Sequence, residues 1–166
     1  MAADIALAAL KQALNLEKEG ILFYKEAAEK VKDAAGQNIF LSLAEDERDH
    51  QRILSAQIRS LESGKGWSRF PETEGLEPIK GAPSLFPKGK VDVQKAVATV
   101  STELDAIRFG LDIENRSYEF YFKASRETKV AEAMAMYSFL AGMERDHFNT
   151  LMMRYEGLGG PAGWRY

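Results

Sequence analysis

The chain has 166 residues, 45% hydrophobic and 28% charged, with a formal net charge of −3. That is enough for one domain with a proper core, and it carries no basic footprint for nucleic acid. There is no cysteine, which excludes a disulfide scaffold, a thiolate metal site, an iron–sulfur cluster and a catalytic thiol.

The opening residues Met1-Ala-Ala-Asp-Ile carry no basic segment, and Asp4, Lys11, Glu17 and Lys18 interrupt any apolar run. No signal peptide and no membrane span is therefore expected, and a cytoplasmic location is the default. From about Asp4 to Ser63 the sequence reads as two helices. They divide near Asp33–Asn38, with Gly36 expected as a C-terminal cap and Asn38 as the next N-cap. In the first helix Leu10, Leu14, Glu17, Ile21, Tyr24, Ala28 and Val31 alternate steps of four and three, the seam of a bundle helix. Lys11, Lys18, Lys25 and Lys32 form a separate, solvated stripe. The second helix gives the seam Phe40, Leu43, Glu47, His50 and Leu54.

Between Gly64 and Lys90 fall four of the five prolines, together with five glycines. Such a density of breakers marks a long connection. Trp67, Phe70, Leu76, Leu85 and Phe86 suggest that it is packed down and is not a free linker. From about Val91 to Tyr155 a second pair of helices is expected, dividing near Glu127-Thr128, with Thr128 as a candidate N-cap. Its seams are Leu104, Ile107, Leu111, Glu114, Tyr118 and Tyr121, then Tyr137, Leu140, Glu144, His147 and Leu151. The last helix is expected to stop at Gly157-Leu-Gly-Gly-Pro161. The fold class is all-α, a four-helix bundle of two hairpins (about 4–63 and 91–156) joined by a crossover (64–90), in one domain.

The two halves are copies. The step from Glu17 to Glu114 is 97 positions, and the same step relates Tyr24 to Tyr121, Glu47 to Glu144 and His50 to His147. Glu47-Arg-Asp-His50 recurs letter for letter as Glu144-Arg-Asp-His147. Four glutamates and both histidines thus lie on seams that are otherwise apolar. Buried together without partners, such carboxylates would each cost several kcal/mol and repel one another. Two divalent cations remove the difficulty, and oxygen and imidazole donors suit iron and manganese. A lone Glu-x-x-His is weak evidence for a metal; the repetition carries the case. Glu and His three apart share a helix face, and two such helices plus one Glu from each of the others make a di-metal carboxylate set.

At these residues the chain resembles the rubrerythrin-like branch of the ferritin superfamily, whose pattern is Glu-x6-Tyr on one helix and Glu-x-x-His on the next, twice. The resemblance implies a ferritin-like bundle binding two iron ions, with manganese or zinc able to enter the same site. It implies Glu17 and Glu114 as terminal ligands, Glu47 and Glu144 as bridges, and His50 and His147 as one cap each. It further implies an oxidoreductase acting on O2 or hydrogen peroxide. Two departures stand out. There are no cysteines for the iron domain that delivers electrons in full-length rubrerythrins, so a separate electron-donor protein is expected. The extra family glutamate one turn past the third-helix ligand is Ser117 here, with Gly20 as its repeat mate, so the peroxide role of that glutamate is not carried over. The alternatives are an iron-handling or ferroxidase protein without a storage cage, and a structural bundle stabilised by metal.

Tyr24 and Tyr121 are expected to hydrogen-bond a bridging carboxylate, in preference to forming a radical. Asp46 is expected to orient His147 from across the bundle; its repeat mate is Met143, so the role would be one-sided. Gly20 and Ser117 either leave room for a small substrate or permit close packing. An apolar face at Leu22, Met136 and Phe139 is the basis for expecting a homodimer.

Overall fold

The computed structural model describes residues 2–73 and 100–159, with side chains from Ile5 onward. Among these residues are four long helices, α1 (Ala2–Lys30), α2 (Ala34–Glu62), α3 (Glu103–Glu127) and α4 (Ala131–Gly157), with a 3-10 turn at Pro71–Thr73. No helix among them is long and apolar enough to cross a membrane. The expected crossover residues Leu76, Leu85 and Phe86, the helical expectation for 91–99, and the tail from Gly160 onward lie outside the described residues.

The bundle is a ferritin-like pair of hairpins. α1 packs along α2 and α3 along α4, and α1 lies against α3. The ends of the connection sit at opposite ends of the bundle. Just after α2, the Trp67 ring meets Tyr137 and Arg69 faces Glu132, both near the start of α4. The start of α3 lies at the other end, where Arg154 joins Glu103 and Asp33 at 2.6 Å each. A basic residue in the last turn of α4 there meets an acidic one in the first turn of α3, as both helix dipoles favour.

The helix boundaries correct three expectations. Gly36 is not a cap but a buried residue inside α2, and Asn38 is also helical. The N-cap is Asp33, whose carboxylate accepts from the Gly36 N–H at 3.0 Å. Gly36 is small for a packing reason: a methyl there would run into the Glu103 carboxylate and stand 3.0 Å from Val31 Cγ1. Thr128 closes α3 rather than opening α4. Its N–H bonds to the Ala124 carbonyl, while its hydroxyl accepts from the Val130 N–H. The strong start belongs to α3, where Thr102 and Asp105 form a reciprocal capping box.

The core comes in two clusters. One, at the end that holds the helix turns 31–33, includes Phe23, Phe40, Ile107, Leu111, Phe148 and Leu151. The other, toward the opposite end, includes Leu10, Leu54, Tyr118, Met136, Tyr137 and Leu140. The expected apolar face for a dimer is not one face. Met136 is fully buried and Phe139 packs against the second cluster, leaving Leu22 exposed. The expected lysine stripe, Lys11, Lys18, Lys25 and Lys32, is exposed throughout.

Candidate metal centre

Along every helix the two core clusters are interrupted at the same level, and there the acidic and imidazole side chains enter. Glu17 comes from α1, Glu47 and His50 from α2, Glu114 from α3, and Glu144 and His147 from α4. Spacing of three puts each Glu–His pair on one inward face. None of the six is more than 4% exposed.

Their atoms converge on two centres. Glu17, Glu47, His50 and Glu144 each offer one donor atom, all within 4.8 Å of one another. Glu47, Glu114, Glu144 and His147 do the same. The two groups share Glu47 and Glu144. His50 Nδ1 faces Glu47 at 3.0 Å, Glu144 at 3.1 Å and Glu17 at 3.4 Å. His147 Nδ1 faces Glu47 at 3.4 Å, Glu114 at 3.5 Å and Glu144 at 3.9 Å. The two imidazole planes stack at 5.4 Å between centroids.

His50 Nδ1 and Glu47 Oε2 are hydrogen-bonded at 3.0 Å, but among the described residues several other polar atoms at the centre lack a hydrogen-bond partner. Glu17 Oε2, Glu114 Oε2, both Glu144 oxygens and His147 Nδ1 are buried and unbonded. Those of Glu144 and His147 lie within ion-pair distance of neighbours but out of line for a hydrogen bond. Buried orphan acceptors facing one point are costly without a cation and are what a cation needs as ligands. Oxygen donors with one imidazole per centre, and no sulfur, fit a pair of first-row divalent metals.

The electrostatics tell the same story. Burial, reinforced by Glu47, pushes the Glu17 carboxyl up to about 8. Burial and the charges of Glu47 and Glu17 push Glu144 well above the usual carboxylate range. Burial alone would lower His50, but Glu144, Glu17 and Glu47 outweigh it and hold the imidazole well above its ordinary value. His147 is raised in the same way against its burial, chiefly by Glu114 and Asp46. Without a metal the site retains protons because four carboxylates cannot all ionise together.

The two tyrosines brace the arrangement from opposite halves. The Tyr24 hydroxyl donates to Glu114, and the Tyr121 hydroxyl donates to Glu17. The expected hydrogen bonds are therefore made, but to the carboxylates that belong to one group only, not to the shared ones. Burial and the neighbouring carboxylates hold both phenols well above their ordinary value, so each stays a donor. Asp46 Oδ2 stands 3.5 Å from His147 Nε2, across the bundle as expected. Ser117 is buried, and a methyl on Gly20 would lie 3.5 Å from Glu47 Cγ, an ordinary contact. Gly110 was not singled out from the sequence. Its carbonyl lies 3.4 Å from the Tyr24 hydroxyl, and a methyl there would stand 3.3 Å from the ring.

A search of curated proteins finds no match. A solved structure of a hypothetical protein from Pyrococcus furiosus is 31% identical, over 90% of this chain and 87% of that one, with a TM-score of 0.60. The rubrerythrin family model matches residues 8–155, which takes in all six convergent residues and both tyrosines. The chain belongs to the rubrerythrin family.

Proposed function

We propose that this chain is a di-iron oxidoreductase that reduces O2 or hydrogen peroxide with electrons from a separate donor protein. The observation that carries the reading is the pair of buried donor groups sharing Glu47 and Glu144. Glu17, Glu47, His50 and Glu144 would hold one ion and Glu47, Glu114, Glu144 and His147 the other, with Glu47 and Glu144 serving both. Manganese or zinc fits the same donors, so iron rests on the family. A pair of iron ions, when bound, would supply one-electron redox chemistry at two adjacent positions. The chain's own part is to fix the ligands and keep water out. Tyr24 and Tyr121 each hold one oxygen of a terminal glutamate and leave the other oxygen for metal. The flanking apolar clusters close the site along the bundle axis. The 166 residues hold no cysteine to carry an electron-transfer iron, so the donor is a group outside them.

Anaerobic reconstitution with Fe2+ tests this directly. About two ions per chain are expected from the ligand count. Glu47→Ala removes a ligand from both groups and should abolish tight binding of both ions, while Glu17→Ala touches one group and should spare one. Stopped-flow re-oxidation of the ferrous protein by peroxide or O2 then reads the substrate. Uptake of many irons per chain with slow turnover would replace the proposal by iron handling. No uptake, unchanged by Glu47→Ala, would remove it.

A further inference from the structure

The internal repeat makes the two centres near copies, yet one difference reaches the ligands themselves. Both imidazoles point Nδ1 at the carboxylates, so each outer nitrogen, Nε2, needs a partner of its own. His147 Nε2 has the Asp46 carboxylate at 3.5 Å, ion-pair range and just short of hydrogen-bond alignment. His50 Nε2 is buried and has no hydrogen-bond partner among the described residues. The cause is visible in the repeat. Asp46 precedes Glu47, while the residue preceding Glu144 is Met143, 97 positions on. Met143 is half-buried and cannot accept from an imidazole N–H as a carboxylate does.

Resting on the di-metal reading above, we propose that Asp46 is a positioning residue that makes the two metal positions unequal, the one with His147 binding its ion more tightly. A carboxylate on the outer nitrogen fixes the tautomer that presents Nδ1 as a lone pair, orients the ring and raises its basicity. Loss of such a partner typically costs 10–100-fold in metal affinity. His50 lacks this support, and its buried outer N–H stays unsatisfied whenever Nδ1 is the ligand atom. The ion beside His50, held with Glu17 and the two shared glutamates, is the more readily exchanged.

The chain has two histidines, so both rings can be followed separately. Histidine-15N-labelled apoprotein would be titrated with Zn2+ and read by NMR, with His147→Ala assigning the signals. A first equivalent of Zn2+ should shift the His147 ring about 10–100 times more fully than the His50 ring. Charge repulsion between ions separates the two binding steps even in a symmetric site, so the order of filling and its response to substitution decide the matter. Asp46→Met, which copies the second repeat, should bring the preference to about one. The double variant Asp46→Met, Met143→Asp should reverse it, an outcome that general damage to the fold would not produce. Equal filling of the two rings in the wild type, or a preference that survives Asp46→Met, would overturn the proposal while leaving the di-metal site intact. A wild type in which neither ring responds to Zn2+ would overturn both.

Discussion

The hydroxyls of Tyr24 and Tyr121 each close a link between one half of the chain and a carboxylate of the other, Glu114 and Glu17 respectively. Each phenol is fully buried, so removing its hydroxyl strands a buried acceptor. Tyr121→Phe is expected to lower the stability of the metal-free protein by about 1–3 kcal/mol, read by urea denaturation. Tyr24→Phe should cost a similar amount. If neither substitution moves the midpoint, the hydrogen bonds are not what hold the terminal glutamates. Sequence spacing placed both tyrosines on the seam but assigned them the wrong carboxylate. The error is physical: which glutamate a tyrosine reaches depends on how α1 crosses α3, and periodicity along one helix carries no information about crossing. The placement of Asp46 beside His147 was legible for the opposite reason, since it adjoins Glu47 and its partner had to lie on the facing Glu-x-x-His helix.

At the scale of the helices, the seams were legible and the ends were not. An alternation of four and three over several turns leaves little doubt about the buried face, whereas a cap depends on one backbone geometry. Gly36 looked like a terminator, yet its small size serves the approach of Glu103. The sequence reading did not single out the box of Thr102 and Asp105, and Thr102→Ala should cost about 1 kcal/mol in a denaturation experiment. Thr128→Ala should cost less, since its hydroxyl accepts a single bond of 3.2 Å outside the helix. Two glycines within helices provide a second contrast. A methyl on Gly110 would stand 2.9 Å from Leu151 Cδ1 and press on Tyr24, so Gly110→Ala should destabilise by about 1–3 kcal/mol through overpacking. A methyl on Gly142 meets nothing within 4 Å among the described residues, so Gly142→Ala should stabilise by about 0.5–1 kcal/mol through helix propensity. Equal effects at the two positions would show that close approach at Gly110 is unimportant.

Across the whole molecule, the repeat is what made both bundle and site readable, because a polar set that recurs intact at one offset on apolar seams has few physical explanations. The same arrangement ties the stability of the bundle to metal and to pH. In the metal-free fold Glu17 titrates at about 8 instead of 4.5, and Glu144 is raised in the same direction. A carboxyl that binds its proton more tightly folded than unfolded contributes stability that is complete below about 4.5 and disappears as pH rises through about 8. His50 and His147, also raised, add to the same trend once the unfolded imidazoles deprotonate near 6.5. Glu47 is lowered, so its contribution is lost only on acidification below the ordinary carboxylate value. Between about pH 5 and 8 the apoprotein should therefore become less stable as pH rises. Divalent metal at the proposed site should reverse this, because it would take the place of the retained protons and be favoured as they leave. The rise in melting temperature on adding Mn2+ or Zn2+ should consequently grow steadily from pH 5 to 8, with protons released on binding in a calorimetric titration. A metal-induced shift that is the same at both ends of this range would mean that the six buried side chains do not exchange protons for metal.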